Sequence, residues 1–589
     1  VRITKRAVVL RGLLLMAGFA CMTVHAQQQP GAGGVDSGQL LRRLEQPWKA
    51  PVPEKPDLRE SPLLKPAPDL GPDSSARVFV KAFRVTPEGL MTQGEIERLL
   101  SGYVGKEVSM GTLHAAVAVV GERVRSKGYS FVRPYLPPQE VTEGIVTIGV
   151  LVGKLGTNEK GEPDITLRKE PLRLKMSTAL GTATGKMKPG QPLRNEDMER
   201  GLLLLNDLPG VQAAGVVVPG REPGTVGVVV DVKEEPVGSA VLAMDNYGSR
   251  STGWGRGTLF ATASDPSGYG DLLRLGASGS EGTRSLFASY LLPLGYSGLK
   301  LRATGSALEY KIVHGSATAL DLEGAASSAG LGLSYPFLRD RFLTLTGFVQ
   351  ADGRFMRDSA LGSYISHRYT ESVTTGTQLY WAQPGLWSIA GDLGATGGRL
   401  LPGAPDRAPG SNVGTSTRDG QYAIGRASLT VDRAIGTNWS IQVAANGQVA
   451  SQNLDSSEKL YAGGPSGVRA YPIEEGASDT GVIAHAELQW YVLRRETHGM
   501  SLLGFYDWAH VRRNIETYPG WNNINPAMPN SYVLQGWGAG IRYNWSKFRL
   551  EALFARKIGE NPGRSTTGDD ADDTNHRNRV WFLATLNFP

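Results

Sequence analysis

From Val237 to Pro589 apolar and polar positions alternate with a period of two, in runs of about ten residues broken by turn-forming stretches. In Phe548 to Arg556, Phe548, Leu550, Ala552 and Phe554 point one way and Arg549 and Glu551 the other. In Val482 to Val492, Ala484, Ala486, Leu488 and Trp490 oppose His485, Glu487 and Gln489. Leu299 to Ala303 alternates apolar residues with Lys300 and Arg302, and Val533 to Trp545 sets Trp537, Ile541 and Tyr543 against glycines and Arg542. The pattern predicts sixteen strands. A soluble sandwich would alternate too, so the loops decide. Short connections at 265–270, 294–298, 336–341, 383–385, 435–438, 494–499 and around 545–547 interleave with mostly longer ones at 310–324, 397–419, 451–480, 510–532 and 558–577. One rim of short turns and one of long loops points to an antiparallel transmembrane β-barrel, with lipid outside and water or a plug inside. An even strand count brings both barrel ends to the short-turn side, and Val580 to Phe588 reads as the closing strand.

Before the barrel the period changes. Val78 to Val85 alternates as a strand, and Thr92 can cap a helix over Glu95 to Tyr103. A second helix over Thr112 to Lys127 carries Leu113, Val117, Val120 and Val124 on one stripe and stops at Gly128. Strands near Phe131–Leu136 and Ile145–Val152 follow, so 77–156 reads as one small α/β module. Residues 157–236 repeat the ending: a helix from Arg194 to Asp207, then strands Val211–Val218 and Thr225–Lys233. Further upstream, 36–46 can form a short helix with Leu40, Leu41 and Leu44 on one side, within an amino-terminal region 27–46. By its residues alone, a frayed end is the bland alternative. Prolines recur through 47–76, an extended linker.

Residues 1–26 read as a secretory signal peptide, with Arg2 to Arg11 as its charged part, Leu13 to Ala20 as its apolar core and Val24-His25-Ala26 as the cleavage site. Cys21 is the single cysteine and falls within it, so the mature chain would hold neither disulfides nor thiolate metal sites. The net charge of +6 includes four basic residues in the first eleven; without them +2 remains, which gives no footprint for nucleic acid. The 75 glycines suit a large β structure rich in turns.

Candidate chemistry is sparse. The eight histidines form no pair at ligand spacing, no catalytic set stands at a rim, and no metal or cofactor is expected. His485 reads as a polar lumen residue, and Asp245-Asn246 as a polar rim rather than a calcium site. The exception is Gly463 to Pro472, where Arg469 stands between apolar neighbours in the long loop 451–480. Were that loop folded into the barrel, Arg469 would need a carboxylate, because an unpaired buried guanidinium is costly. Asp507 is the candidate, with parity opposite to Tyr506 and Trp508. A solvated loop arginine and a rim aspartate fit the same residues.

Three motifs in order carry a resemblance: Leu202 to Gly210 (Leu-Leu-Leu-Leu-Asn-Asp-Leu-Pro-Gly), Asp245 to Gly253 (Asp-Asn-Tyr-Gly-Ser-Arg-Ser-Thr-Gly), and the loop Gly467, Val468, Arg469, Ala470 and Tyr471. With the leader, linker, paired modules and barrel, the chain resembles two-partner secretion transporters of the TpsB type, the haemolysin and haemagglutinin secretion family, over essentially its whole mature length. The resemblance implies a mostly β outer-membrane protein of a Gram-negative cell: two periplasmic POTRA domains, then a 16-stranded antiparallel transmembrane β-barrel in outer-membrane lipid. It implies a pore, not an enzyme, that recognises a partner exoprotein (a TpsA-type adhesin, haemolysin or similar) by its amino-terminal secretion domain. The exoprotein would pass unfolded, without ATP. It also implies that Arg469 pairs with barrel-wall Asp507, and that the helix of Leu40, Leu41 and Leu44 plugs the resting pore. Ala470 stands where the family often has glycine, and a positive φ there would strain an alanine. The alternatives are a barrel-assembly factor of the same superfamily, which usually carries more POTRA units, and an outer-membrane barrel enzyme.

Overall fold

A computed structural model of the chain describes residues 35–45, 77–403 and 420–588, apart from 130, 142, 384, 496, 520, 523 and 524. The expected signal peptide, the linker, and residues 27–34 and 46 of the amino-terminal region lie outside the described residues. The first element is helix α1 (Ser37–Glu45), whose Leu41 is fully buried.

The first α/β unit runs β1 (Arg77–Val80), β2 (Ala82–Thr86), α2 (Gln93–Leu100), β3 (Lys106–Ser109), α3 (Met110–Ser126), β4 (Val132–Tyr135) and β5 (Ile145–Val152). The strand expected over 78–85 is two strands. Both Lys81 and Ala82 donate their backbone N–H to the Gly144 carbonyl (2.6 and 3.3 Å), and the chain bends there. β1 then pairs with β3, which the sequence pattern did not indicate, while β2 runs parallel to β5. Thr92 caps α2 in a reciprocal box with Glu95. Leu113, Val117, Val120 and Val124 of α3 pack on Phe83, Val85, Val146 and Ile148.

The second unit runs β6 (Lys154–Leu155), β7 (Ile165–Leu167), α4 (Met176–Thr184), α5 (Asn195–Asn206), β8 (Val211–Pro219) and β9 (Thr225–Glu234). β9 is central, parallel to β6 and β7 and antiparallel to β8. Helix α4 was not visible in the hydrophobic pattern because its buried face is Thr178, Ala179, Thr182 and Ala183, small residues that let α5 approach through Gly201.

The barrel strands on one side are β10 (Gly238–Asp245), β11 (Arg256–Ser264), β12 (Leu272–Gly279), β13 (Thr283–Pro293), β14 (Lys300–Lys311), β15 (Glu323–Arg339), β16 (Leu343–Ala360) and β17 (Ser363–Gln383). The wall continues through β18 (Trp387–Pro402), β19 (Gln421–Ile435), β20 (Trp439–Ala450), β21 (Thr480–Arg494), β22 (His498–Arg512), β23 (Ser531–Trp545), β24 (Phe548–Lys557) and β25 (Asn578–Phe588). Each strand pairs antiparallel with the next, and β10 pairs with β25, so sixteen strands close with no free edge. Closure removes the unpaired backbone groups that lipid could not satisfy. Asn246 reinforces the seam: its side chain donates to the Val580 carbonyl (2.8 Å) and accepts from the Phe582 N–H (2.7 Å).

Outward positions such as Leu286, Leu331, Val373, Leu429, Leu488 and Ile541 are exposed apolar side chains, the surface that lipid covers. Trp439 stacks on Trp490, and Trp545 on Phe548, at the short-turn rim, where an aromatic girdle belongs. Some hairpins differ from the expected loop lengths. The 336–341 connection shrinks to 340–342 because β15 continues to Arg339. β16 and β17 join through Leu361 and Gly362 alone, both at positive φ (49° and 75°), a primed turn that carries an 18- and a 21-residue strand beyond the membrane.

Candidate functional site

Among the described residues, two pieces of chain that enter the barrel lumen bear on the site. The first is the connection between β20 and β21. Its tip closes on itself: Val468 N–H donates to the Ala462 carbonyl (2.6 Å), Gly467 N–H to Gly464 (3.0 Å) and Tyr471 N–H to Val468 (3.1 Å). A Cβ on Gly467 would collide with the Ala462 carbonyl, so only glycine fits that crossing. Ala470 does not have a positive φ, so the strain considered from the sequence does not arise; Gly464 and Gly476 take the left-handed positions (89° and 68°). The Ala470 methyl instead faces Gly536 on β23, where an added Cβ would lie 2.6 Å away.

Val468, Ala470 and Tyr471 are fully buried against Ile483, Leu503, Phe505, Leu534 and Trp581 of the wall. From that packed tip Arg469 reaches Asp507. Its Nε and Nη2 donate to Oδ2 and Oδ1 (2.9 and 2.7 Å), and its own backbone N–H donates to Oδ2 (3.0 Å). Nη1 donates to Glu487 (2.9 Å), the guanidinium lies over the Phe505 ring (3.4 Å), and the Arg469 carbonyl accepts from Trp581 Nε1 (2.7 Å). Burial works to lower the Arg469 pKa, but the Asp507 and Glu487 carboxylates outweigh it and hold the guanidinium above its ordinary value. A fork bonded to two carboxylates is a charge-assisted, directional attachment.

Four partners were not picked out from the sequence: Glu487, His485, Phe505 and Trp581. His485 Nδ1 lies 3.0 Å from Asp507 Oδ1. The signal was present in part, since Glu487 and His485 share the inward parity, and the register pairs His485 with Asp507 and Glu487 with Phe505. Arg542 adds the next link, donating to Glu487 (2.5 Å) and Glu551 (2.5 Å).

The second piece is α1, lying on the opposite wall. Leu41, with Leu40 and Leu44 beside it, packs on Leu308, Tyr310, Ile312 and Met356 of β14–β16 and the loop after β14. Asp36 caps the helix by accepting from Gln39 N–H (2.8 Å). Ser37 N–H donates to Asp358 (3.0 Å), Glu45 pairs with Arg354 (2.8 Å), and Arg43 reaches Glu474 of the arginine loop (3.5 Å). Arg354 also bonds Glu458 of that loop, so one wall arginine joins helix and loop.

Asp36 faces Arg368 (3.7 Å), Asp358 and Asp455. Burial raises its pKa from 3.8 to about 6, against the pull of Arg368. The docked helix therefore binds a proton more tightly than a released one. Docking is strongest below the ordinary carboxylate range and weakens as pH rises through about 6. Labelling of Leu44→Cys by an impermeant thiol reagent is expected to speed up from pH 5 to pH 7.5 beyond the intrinsic thiolate gain, and Asp36→Asn is expected to flatten that excess.

No group of carboxylates, histidines or cysteines spaced for a metal occurs among the described residues. The arrangement is mechanical: an anchored loop, a docked helix and an enclosing wall.

Comparison with known proteins agrees with that architecture. A ShlB-type POTRA domain matches residues 78–153, and the family described as haemolysin secretion/activation protein ShlB/FhaC/HecB matches residues 224–543. The chain is 24% identical over 538 residues to the heme/hemopexin transporter protein HuxB of Haemophilus influenzae strain 86-028NP, covering 87% of this chain and 89% of that one. It is 23% identical over 458 residues to the outer membrane transporter CdiB of Escherichia coli, covering 73% and 72%. Among solved structures, CdiB from Escherichia coli superposes with a TM-score of 0.68 at 19% identity over 90% of this chain and 94% of that one. CdiB from Acinetobacter baumannii gives 0.62 at 17% identity over 93% and 96%. These relatives are transporters, and the match extends over more than half of the sequence: the chain belongs to the haemolysin secretion/activation protein family ShlB/FhaC/HecB, outer-membrane two-partner secretion transporters that hold their POTRA domains in the periplasm and translocate a partner exoprotein to the cell surface.

Proposed function

We propose that transport here works through two lumen pieces of unequal attachment: a fixed arginine loop and a removable plug. The observation that carries this reading is the contrast in their bonds. Arg469 is held by four hydrogen bonds to two buried carboxylates and by Trp581 on its carbonyl. Helix α1 is one short element held by a small apolar face, by the Ser37 N–H bond to Asp358 and by separate one-point ion pairs of Asp36, Arg43 and Glu45 to three different residues. The helix leaves when the exoprotein arrives, and the loop stays to line the route.

The exoprotein's amino-terminal secretion domain would be taken up by the α/β units, and the chain would then pass unfolded. Folding outside the cell supplies the drive, since the periplasm offers no ATP. The cargo would be a large exported protein of the TpsA type, an adhesin, haemolysin or similar. Outer-membrane lipid covers the barrel wall, and no nucleic acid or cofactor takes part.

A stalled exoprotein tests the route. The partner is fused to a tightly folded domain that jams in the pore, and a photo-cross-linker is placed at Gln378, an inward position exposed to the lumen. Cross-links from Gln378 to the stalled chain are expected, with fewer from outward Leu379. Equal yields at the two positions would reject passage through the lumen.

A further inference from the structure

The motif Leu202 to Gly210 contains an acid in an unfavourable place. Asp207 is the carboxyl-terminal cap of α5, at the end where the helix presents unpaired carbonyls and partial negative charge. Among the described residues, no side chain of the second unit pairs with it. Asn206, its neighbour, serves the unit itself: the side chain donates to the Leu202 and Ala213 carbonyls (both 2.8 Å) and accepts from Ala213 N–H (2.9 Å). Asp207 points the other way, to the barrel.

There Arg339, the last residue of β15, grips it with two bonds: Nε to Oδ2 and Nη2 to Oδ1, each 2.8 Å. Their side chains are only 7% (Arg339) and 16% (Asp207) exposed. Lys300, the first residue of β14, donates its Nζ to the Asp207 carbonyl (3.1 Å). Two cations from the barrel thus neutralise the helix end that the unit leaves negative. Other contacts gather on the same sector. Arg200 donates to the Pro336 carbonyl (2.9 Å), Glu199 pairs with Arg341 (3.2 Å), and Lys175 lies over the Tyr269 ring (3.4 Å) while its N–H donates to Gly268 (2.8 Å). Leu208 of the motif presses on Gly270. The unit is held against the turns after β11, β13 and β15, below the wall that carries α1.

We propose that Asp207 is a positioning residue for export: its pairing with Arg339 fixes the second α/β unit in one orientation under the β11–β16 sector, so that a bound exoprotein is presented to the pore mouth in one direction. A planar fork on a part-buried carboxylate sets angle as well as distance, which a lysine would not. Removing either partner leaves a part-buried charge unpaired, and the unit can then pivot on its remaining contacts.

The test uses the full-length transporter with its partner exoprotein. Asp207→Asn and Arg339→Gln are each expected to cut secreted exoprotein by about tenfold, the scale of losing one hydrogen bond to a charged group. The double variant should fall no further than either single one, because the two act as a unit. Heat-modifiable migration should show the barrel folded in all three. Spin labels at exposed Glu222 on the unit and at exposed Thr437 in the short turn between β19 and β20, across the same rim, report orientation. One narrow distance is expected in the parent and a broad distribution in the variants. Wild-type export by the single variants overturns the proposal. So does a loss of export with the distance distribution unchanged, and so do losses that multiply in the double variant.

Discussion

Arg469→Ala is expected to stop export of the partner exoprotein while the barrel still inserts, read by immunoblot of the medium and by heat-modifiable migration of the membrane fraction. The guanidinium is 7% exposed and its partners less than a tenth, so truncation takes the counter-charge from Asp507 in a packed site and leaves that carboxylate only the residue-469 backbone N–H and His485. Removing one partner of such a buried pair costs about 3–5 kcal/mol. The attachments left to the loop tip are the packing of Val468, Ala470 and Tyr471, the residue-469 N–H bond to Asp507 and the Trp581 bond to the residue-469 carbonyl. These follow the loop backbone, so they weaken when it shifts. The strand ladder of β21 and β22 does not depend on the guanidinium, and Glu487 keeps Arg542. The barrel therefore survives and the anchor does not. Arg469→Lys is expected to stay defective, since one ammonium cannot span both Asp507 oxygens and Glu487. Normal export by Arg469→Ala would remove the anchoring role.

The barrel was legible because lipid and lumen impose opposite demands on successive residues. That contrast writes a period of two into each strand, and the period alone points Asp507 and Glu487 inward. Parity gives the side of the wall but not the height, which is why Trp581, 112 residues from Arg469 along the chain, could not be paired with it from sequence. Amphipathic α3 was visible through its large apolar stripe. Helix α4 was not, because Ala and Thr form its buried face. The break at Lys81 was hidden for another reason: the alternation of 78–85 continues through it, and only the Gly144 carbonyl, distant in sequence, divides the strand. Asp207 is the converse case. Its place at a helix end conflicts with local preference, and the conflict is resolved by two barrel cations that no local pattern supplies.

Deleting 36–46 is expected to raise single-channel conductance in planar bilayers several-fold without abolishing secretion. The segment fills the lumen on the β14–β16 side, and its apolar face covers wall residues rather than core of its own. Its removal leaves few stranded charges. Arg354 loses Glu45 but keeps Glu458, and Arg368 loses Asp36 but keeps Asp358 and Asp455. Tyr310 still donates to Asp358 (2.8 Å). The wall is therefore nearly as well satisfied empty as filled, which is what a removable plug requires and a structural helix does not. The arginine loop loses the Arg43 contacts to Glu474 (3.5 Å) and the Tyr461 ring (5.9 Å) and the packing of Gly38 on Ser456 and Ser457, all away from Asp507, so its anchor persists and export continues. Conductance unchanged by the deletion would rule out α1 as the plug, and export abolished along with an unfolded barrel would make it a structural helix instead.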